Sequence, residues 1–162
     1  MRNAYLSTLY DLAKEDKRVL ALISDNGAIV YDKFRATFPE QYLNCGISEA
    51  NMVGVSAGLA SCGKIPFAYT ISNFLIYRAY EQIRNDVCLQ RMNVKLVGIG
   101  VGFIYSNLGP THHGTEDIAV MKIIAVSQRG RKRDFIDLFW YCTHREQLGV
   151  ILRRLPDQYP SV

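Results

Sequence analysis

Glu49 is an acidic residue whose position in the sequence makes it a candidate for catalysis or ligand binding. It lies in CGISEANMVG, between a short apolar run and a segment of small residues repeated at helical spacing, so it belongs to the first turn of a helix. An acid at this position can simply complement the helix dipole. The glycines and alanines that follow allow another backbone to approach closely, so Glu49 can instead lie buried at an interface, where a carboxyl is suited to proton transfer.

Two aromatic residues and a pair of histidines are the next candidates. Phe74 and Tyr77 lie three residues apart near the start of a predicted helix. At that spacing they either pack in the core or form the flat wall of a pocket for a heteroaromatic ring. His112 and His113 follow a glycine and a proline in LGPTHHGTED, on a loop that we predict to be exposed. A loop histidine is either solvated or, with an acid nearby, able to orient polar groups of a substrate.

The elements that position these residues alternate between helix and strand. We predict helices over residues 3–16, 48–63 and 73–91, strands over residues 18–24, 42–46, 65–71 and 94–99, and a helical turn over residues 116–121. This alternation favours a three-layer α/β/α fold with a mostly parallel sheet, in which ligands bind beyond the carboxyl ends of the strands. The loops around Asp25, Glu49, Phe74 and His112 each follow a predicted strand. We therefore expect all four at one edge of the sheet.

Length and composition exclude several classes of protein. The 162 residues are 49% hydrophobic and 21% charged, which fits one ordinary globular domain and excludes disorder. No apolar run reaches the length of about 18 residues that a membrane helix needs, and acids come too early for a secretory signal, so we expect a cytoplasmic protein without a membrane partner. The spacing of the four cysteines matches neither a zinc site nor a Cys-x-x-Cys pair, so we expect reduced thiols and no metal ligands.

The positive charge is concentrated near the C-terminus. Residues 123–162 hold seven basic and four acidic residues, a net charge of +3 out of +4 for the chain. Nucleic-acid binding requires basic residues spread over a surface, so we expect no nucleic-acid partner. The GRKR run at residues 130–133 is either a solvated face or an anion-binding site.

Three segments of the sequence together carry a resemblance to a known family. The stretch GISEANMVG, the aromatic helix in SNFLIYRAYEQIR and the loop GPTHHGTED occur in the order and spacing typical of the transketolase family of thiamine-diphosphate enzymes. Residues 1–122 resemble the pyrimidine-binding domain of that family, which implies the thiamine-diphosphate-binding fold of the pyrimidine type. Residues 123–162 are a divergent basic tail, which either completes the domain or reflects a shifted reading frame.

The resemblance implies a role in binding thiamine diphosphate for several candidate residues. Glu49 matches the glutamate that hydrogen-bonds N1′ of the aminopyrimidine and so promotes loss of the thiazolium C2 proton. Phe74 and Tyr77 match residues that wall the aminopyrimidine. Ile71 matches another wall position, where the family has an aromatic residue.

Two further matches concern the rest of the cofactor and the substrate. Asp25 matches a polar loop near the thiazolium, and His112 matches a position that contacts the sugar substrate. The loop after the last predicted strand departs from the family, with Gly100 in place of a histidine and NLGP in place of Glu-Asp-Gly-Pro. The resemblance therefore leaves the donor and acceptor sugars open.

The diphosphate part of the cofactor has no match in the sequence. The family holds the diphosphate and Mg²⁺ through a Gly-Asp-Gly motif, which does not occur in these 162 residues. The resemblance thus implies a partner, a transketolase N-terminal (diphosphate-binding) subunit, in a homo- or hetero-oligomer. It implies a component of an enzyme that transfers a two-carbon ketol unit between sugars and is inactive as an isolated chain. Two alternatives stay open: the β component of a 2-oxoacid dehydrogenase-like enzyme, and a truncated interaction module without catalysis.

Overall fold

A computed structural model describes residues 2–26 and 28–114 of the chain. Within these ranges, residues 2–114 belong to one compact unit. The predicted helical turn over residues 116–121, the domain boundary at residue 122 and the basic tail lie outside the described residues. None of the helices in the described part of the chain combines the length and the apolar character needed to cross a membrane.

The central element is a four-stranded sheet in which every pairing is parallel. The strands are β1 (Val19–Ile23), β2 (Tyr42–Asn44), β3 (Ile65–Ile71) and β4 (Lys95–Ile99), in the order β2-β1-β3-β4. The four predicted strands and the predicted parallel α/β fold are thus confirmed. Strand β1 reads as an uninterrupted apolar run because a central parallel strand is buried on both faces.

Helices cover both faces of the sheet. Helices α1 (Arg2–Glu15) and α2 (Ala28–Thr37) pack on one face, and α3 (Glu49–Ser61) contacts β3. The core on the first face consists of Leu9, Ala13, Val19, Ala21, Ile23, Tyr31, Phe34 and Tyr69. Leu22 is also fully buried, and the alternation of side chains along a strand directs it to the opposite face.

Helix α2 is absent from the sequence prediction. Its core-facing residues are Tyr31 and Phe34, which are 0% and 3% exposed. Two buried residues in a helix of ten give too short a periodic pattern to be recognised, since a helix prediction requires apolar residues repeated over several turns.

The prediction of one long helix over residues 73–91 was wrong. Helix α4 spans Ser72–Arg78, and the next residue, Ala79, has a φ of −112° and a ψ of 20°, which are not helical. A helical turn, Tyr80–Gln82, then leads into a π-helical segment, Ile83–Leu89. The apolar spacing indicated a helical segment but carries no signal for the hydrogen-bond pattern within it. The break makes Arg78 the last residue of α4.

Three tyrosine side chains pack together in the core between α1, α2 and β3. The hydroxyls of Tyr5 and Tyr31 are 3.1 Å apart and share a hydrogen bond. The ring of Tyr69 is stacked on Tyr5 and lies edge-on to Tyr31, with centroid distances of 5.8 Å and 5.1 Å. Burial raises the pKa of Tyr5 to about 12, and burial likewise raises the pKa of Tyr31 above its usual range.

This arrangement predicts a loss of stability in strong alkali. Because the pKa of Tyr5 rises from its ordinary value of 10.0 to about 12 in the folded chain, the unfolded chain loses this proton first. The stabilisation contributed by the protonated Tyr5 hydroxyl is fully present below pH 10 and is lost as the pH rises from 10 to about 12. We expect the free energy of unfolding, measured with urea, to fall less steeply above pH 10 in Tyr5→Phe than in the wild type. Equal slopes for the two proteins would contradict the prediction.

The side chain of Gln41 ties α1 to the start of β1. It is buried, and Nε2 lies 3.1, 3.2 and 2.8 Å from the carbonyl oxygens of Ala13, Asp16 and Val19, which share its two N–H donors. These carbonyls belong to the last turn of α1, the connecting turn and the first residue of β1. The amide therefore supplies donors to main-chain acceptors on three consecutive segments, of which the Asp16 carbonyl also accepts from the N–H of Val19.

Replacing this amide should destabilise the fold. We expect Gln41→Leu to lower the free energy of unfolding by about 1–3 kcal/mol, since the buried carbonyls lose their donor. Gln90→Leu is the matched control, because Gln90 is exposed and its side-chain hydrogen bond to Asn85 is 3.4 Å long. The control should change stability by no more than about 0.5 kcal/mol. Similar losses for the two variants in urea unfolding would argue against the assigned role of Gln41.

Candidate functional site

Polar side chains meet at the carboxyl edge of the sheet, where β1 and β3 end. Ser24 follows β1 and donates a hydrogen bond from Oγ to Glu49 Oε1 at 3.2 Å. Its Oγ is also 2.7 Å from Oγ1 of Thr70, near the end of β3. Asn26 donates from Nδ2 to the same Thr70 oxygen at 3.0 Å. A hydrogen-bonded network of neutral groups thus extends from the loop after β1 to the carboxyl of Glu49.

Glu49 is the first residue of α3 and is 3% exposed. Ser48 occupies the N-cap position, but its side chain makes no capping hydrogen bond. Arg78 donates from Nη1 to Glu49 Oε2 at 3.0 Å, and the Arg78 side chain is 47% exposed. The carboxylate therefore lies between a neutral hydroxyl donor and a cation that remains partly in solvent.

The ring of Phe74 connects this ion pair to His112. The guanidinium carbon of Arg78 is 3.9 Å from the centroid of the Phe74 ring. The His112 ring lies edge-on to Phe74, with centroids 4.9 Å apart. The loop that carries His112 and His113, here called the histidine loop, is held by Asn73, whose Nδ2 donates to the carbonyl oxygen of Thr111 at 2.6 Å. Side chains from α3, α4 and the histidine loop are thus in continuous contact.

Of the remaining predicted residues, Asp25 lies at the same edge but makes its hydrogen bonds elsewhere. Asp25 is exposed and has a positive φ of 54°. Its main-chain N–H donates to Asn44 Oδ1 at 3.1 Å, and its carboxylate accepts from Asn44 Nδ2 at 2.8 Å. Asp25 therefore binds the end of β2 and not the network around Glu49. Ile71, the last residue of β3, and Tyr77, on α4, are both half-buried.

Sequence reasoning missed the partners of Glu49. Arg78 lies four residues after Phe74, and this spacing places the two side chains on the same face of a helix. That pattern is visible in the sequence, but it does not reveal that the face meets α3. Asn26 and Asn73 each keep a buried Oδ1 atom that has no hydrogen-bond partner within residues 2–26 and 28–114. Such acceptors are uncommon in proteins and are available to a ligand.

The loop after β4 explains one departure from the family resemblance. Gly100 has a φ of +73°, and the ring of Tyr105 occupies the space that a Cβ atom at position 100 would need. A larger residue here would require both a strained backbone and displacement of Tyr105. The position of the Tyr105 ring therefore requires glycine at position 100.

Ligands for a metal ion do not cluster in the described residues. Residues 2–26 and 28–114 contain no group of three histidine, cysteine, aspartate or glutamate side chains able to hold a metal. Cys45, Cys62 and Cys88 form no disulfide within the described ranges, and Cys62 is exposed.

A parallel sheet with buried polar side chains at its carboxyl edge defines an α/β protein of the kind that binds ligands at that edge. The sequence profile of the family described as the transketolase pyrimidine-binding domain matches residues 1–153. The chain belongs to this family.

Individual relatives agree with this assignment. The chain is 38% identical over 122 residues to a subunit of the apulose-4-phosphate transketolase of Phocaeicola vulgatus, covering 75% of this chain and 39% of that protein. It is 41% identical over 125 residues to a putative transketolase C-terminal section of Methanocaldococcus jannaschii, covering 76% of this chain and 40% of the relative. A solved structure described as a split-gene transketolase, inactive β4 tetramer, matches with a TM-score of 0.65 and 38% identity, over 75% of this chain and 39% of the other. The chain therefore spans about two fifths of the length of these relatives.

The ion pair between Glu49 and Arg78 should contribute measurably to stability. Because Arg78→Met leaves a buried carboxylate with one neutral donor, we expect the free energy of unfolding to fall by about 1–3 kcal/mol. In the double variant with Glu49→Gln the losses should not add, with a coupling energy of about 1 kcal/mol or more.

The control for this measurement is the surface pair between Arg35 and Asp32, whose side chains are 59% and 56% exposed. Its coupling energy should not exceed about 0.5 kcal/mol. Double-mutant cycles measured by urea unfolding compare the two pairs. Equal coupling energies would show that burial of Glu49 adds nothing to the interaction.

Proposed function

We propose that this chain is the pyrimidine-binding component of a thiamine-diphosphate-dependent, transketolase-like enzyme of the cytoplasm that transfers a two-carbon ketol unit between sugars. The observation that carries the proposal is the buried carboxyl of Glu49 at the carboxyl edge of the sheet, in a chain that belongs to the transketolase pyrimidine-binding family. In this proposal Glu49 is the catalytic residue, because its carboxyl binds N1′ of the aminopyrimidine.

The chemistry of the donor set fits an aminopyrimidine. Glu49 offers a carboxylate that is shielded from water, which favours sharing of a proton with a weakly basic ring nitrogen. Phe74 offers an aromatic face on which a flat cation, the guanidinium of Arg78, already stacks at 3.9 Å. Asn26, in the same network as Glu49, has a buried acceptor oxygen without a partner among the described residues, and this suits an N–H donor of a ligand.

When bound, thiamine diphosphate supplies a nucleophilic carbon that can attack a carbonyl group. The chain's own contribution is the control of one proton. Glu49 would hold a proton at N1′ of the ring, and the hydrogen bond from Ser24 restricts the orientation of the carboxyl. Burial at the start of α3 excludes the water that would otherwise solvate the carboxylate and weaken this interaction.

The other candidate residues take positions around this centre in the proposal. Phe74, Tyr77 and Ile71 form the wall of the aminopyrimidine site. Asp25 lies toward the thiazolium, and His112 contacts the sugar substrate. The edge-on contact between the rings of His112 and Phe74 supports this division, because it makes the substrate residue a neighbour of the cofactor wall.

The proposal assigns the diphosphate and Mg²⁺ to a partner, a transketolase N-terminal (diphosphate-binding) subunit. One relative is described as a subunit of a transketolase and another as a C-terminal section, which supports a division of the enzyme between chains. The solved split-gene transketolase is described as an inactive β4 tetramer. That description supports the further proposal that this chain forms oligomers and has no activity by itself.

The test is proton exchange at C2 of thiamine diphosphate, followed by ¹H NMR in deuterium oxide. The full chain is mixed with Mg²⁺ and the diphosphate-binding subunit encoded in the same genome. We expect Glu49→Gln to slow the exchange by at least about 100-fold, because the amide cannot hold the proton at N1′. Glu40→Gln, at an exposed glutamate, is the control and should exchange at the wild-type rate. Equal rates for Glu49→Gln and the wild type would contradict the assigned role.

The same mixture separates the proposed reaction from that of a 2-oxoacid dehydrogenase component. A ketose phosphate should be consumed as the two-carbon donor, whereas pyruvate should not. Consumption of pyruvate alone would contradict the proposed transfer of a ketol unit from a sugar.

A further inference from the structure

The side chain of Arg78 interacts with two of the residues that the proposed function assigns to the aminopyrimidine. Its Nη1 atom donates to Glu49 Oε2 at 3.0 Å, and its guanidinium carbon is 3.9 Å from the centroid of Phe74. Both contacts follow from the position of Arg78 at the end of α4, one helical turn after Phe74. The guanidinium thus touches the carboxyl and the aromatic face at the same time.

A guanidinium and an aminopyrimidine offer the same binding features. Each is planar and delocalised, each presents N–H donors at its edge, and each stacks on an aromatic ring. A site built from one carboxyl and one aromatic face can therefore hold either group: the carboxylate accepts a hydrogen bond from the guanidinium, and it shares a proton with N1′ of an aminopyrimidine.

The guanidinium of Arg78 and an aminopyrimidine cannot both stack on the same face of the Phe74 ring. A centroid distance of 3.9 Å is van der Waals contact, which leaves no space for a second planar group on that face of the ring. The edge of His112 also contacts Phe74, at 4.9 Å between centroids. A ligand that stacks on the face covered by Arg78 must move the guanidinium away.

We propose that Arg78 is an internal occupant of the aminopyrimidine site, which fills the site in the free chain and moves aside when the cofactor binds. This inference rests on the proposed function. The side chain is already 47% exposed, so a movement away from Glu49 takes the guanidinium into solvent and removes no further part of it from water. In the free chain the guanidinium compensates the buried charge of Glu49, which would otherwise lack a cation.

Occupancy by Arg78 reduces the apparent affinity for the cofactor. When the site is filled in most molecules, the apparent dissociation constant rises by the inverse of the open fraction. Removing the guanidinium should therefore strengthen cofactor binding. An arginine that instead remained on Glu49 and oriented it for the cofactor would have the opposite effect, because its removal would weaken binding. The sign of the change distinguishes the two roles.

The experiment is a calorimetric titration of thiamine diphosphate, with Mg²⁺, into the full chain mixed with the same diphosphate-binding subunit. We expect Arg78→Met to bind about 5- to 10-fold more tightly than the wild type, which corresponds to an occupant present in about 80–90% of molecules. Arg78→Lys keeps the charge but loses the planar stack, and should bind more tightly by a smaller factor. Arg35→Met, at an exposed ion pair, is the control and should leave the affinity unchanged.

A second measurement uses the wild-type protein and does not depend on the folding of a variant. Arginine-selective ¹⁵N NMR should show the Arg78 side chain shifted by the Phe74 ring current in the mixture without cofactor, and this shift should disappear on binding. Equal or weaker binding by Arg78→Met, or an unchanged Arg78 signal, overturns the inference. If Glu49→Gln still weakens binding in that case, the proposed function stands. If Glu49→Gln binds like the wild type, the proposed function fails as well.

Discussion

A carboxylate that has been removed from water must be compensated by donors, and this requirement organises the carboxyl edge of the sheet. Glu49 is the one buried carboxyl among the described residues, and it accepts hydrogen bonds from Ser24 and Arg78. These donors lie 25 and 29 residues away along the chain, after β1 and at the end of α4. An uncompensated buried charge costs several kcal/mol, so the positions of both segments are coupled to the carboxylate. The groups that define the candidate site also stabilise the fold.

The parallel topology explains why these segments can meet. Ile23 lies opposite both Asn44 and Tyr69 in the ladder, so β1 and β2 end at one level and β3 extends two residues further at the same edge of the sheet. Helix α4 begins directly after β3 and lies against β4, where Gly98 leaves space for Ser72. A Cβ atom at position 98 would lie 2.9 Å from the Ser72 hydroxyl, which is too close. This close packing fixes the start of α4, and the helix then carries Phe74 and Arg78 to the start of α3.

The apolar runs of the sequence were sufficient to predict the sheet, because buried parallel strands have little alternation to obscure them. Position at the carboxyl edge followed from the same reasoning for Asp25, Glu49, Phe74 and His112. The break at Ala79 was not predictable, since apolar residues continue at helical spacing on both sides of it and no glycine or proline marks it. Sequence periodicity describes one element at a time. It therefore could not identify the contact between Glu49 and an arginine on another helix.

The ion pair has two opposing consequences for a cofactor site. It stabilises the buried carboxylate in the absence of a ligand, and under the inference about Arg78 it sets a free energy that the aminopyrimidine must exceed to displace the guanidinium. The half-exposed Arg78 makes this balance sensitive to whatever covers the edge of the sheet. A subunit that removed water from the guanidinium would change the relative free energies of its inward and outward positions. Under the proposed function, assembly with a diphosphate-binding subunit and binding of the aminopyrimidine are therefore coupled through one arginine, and each must affect the affinity of the other.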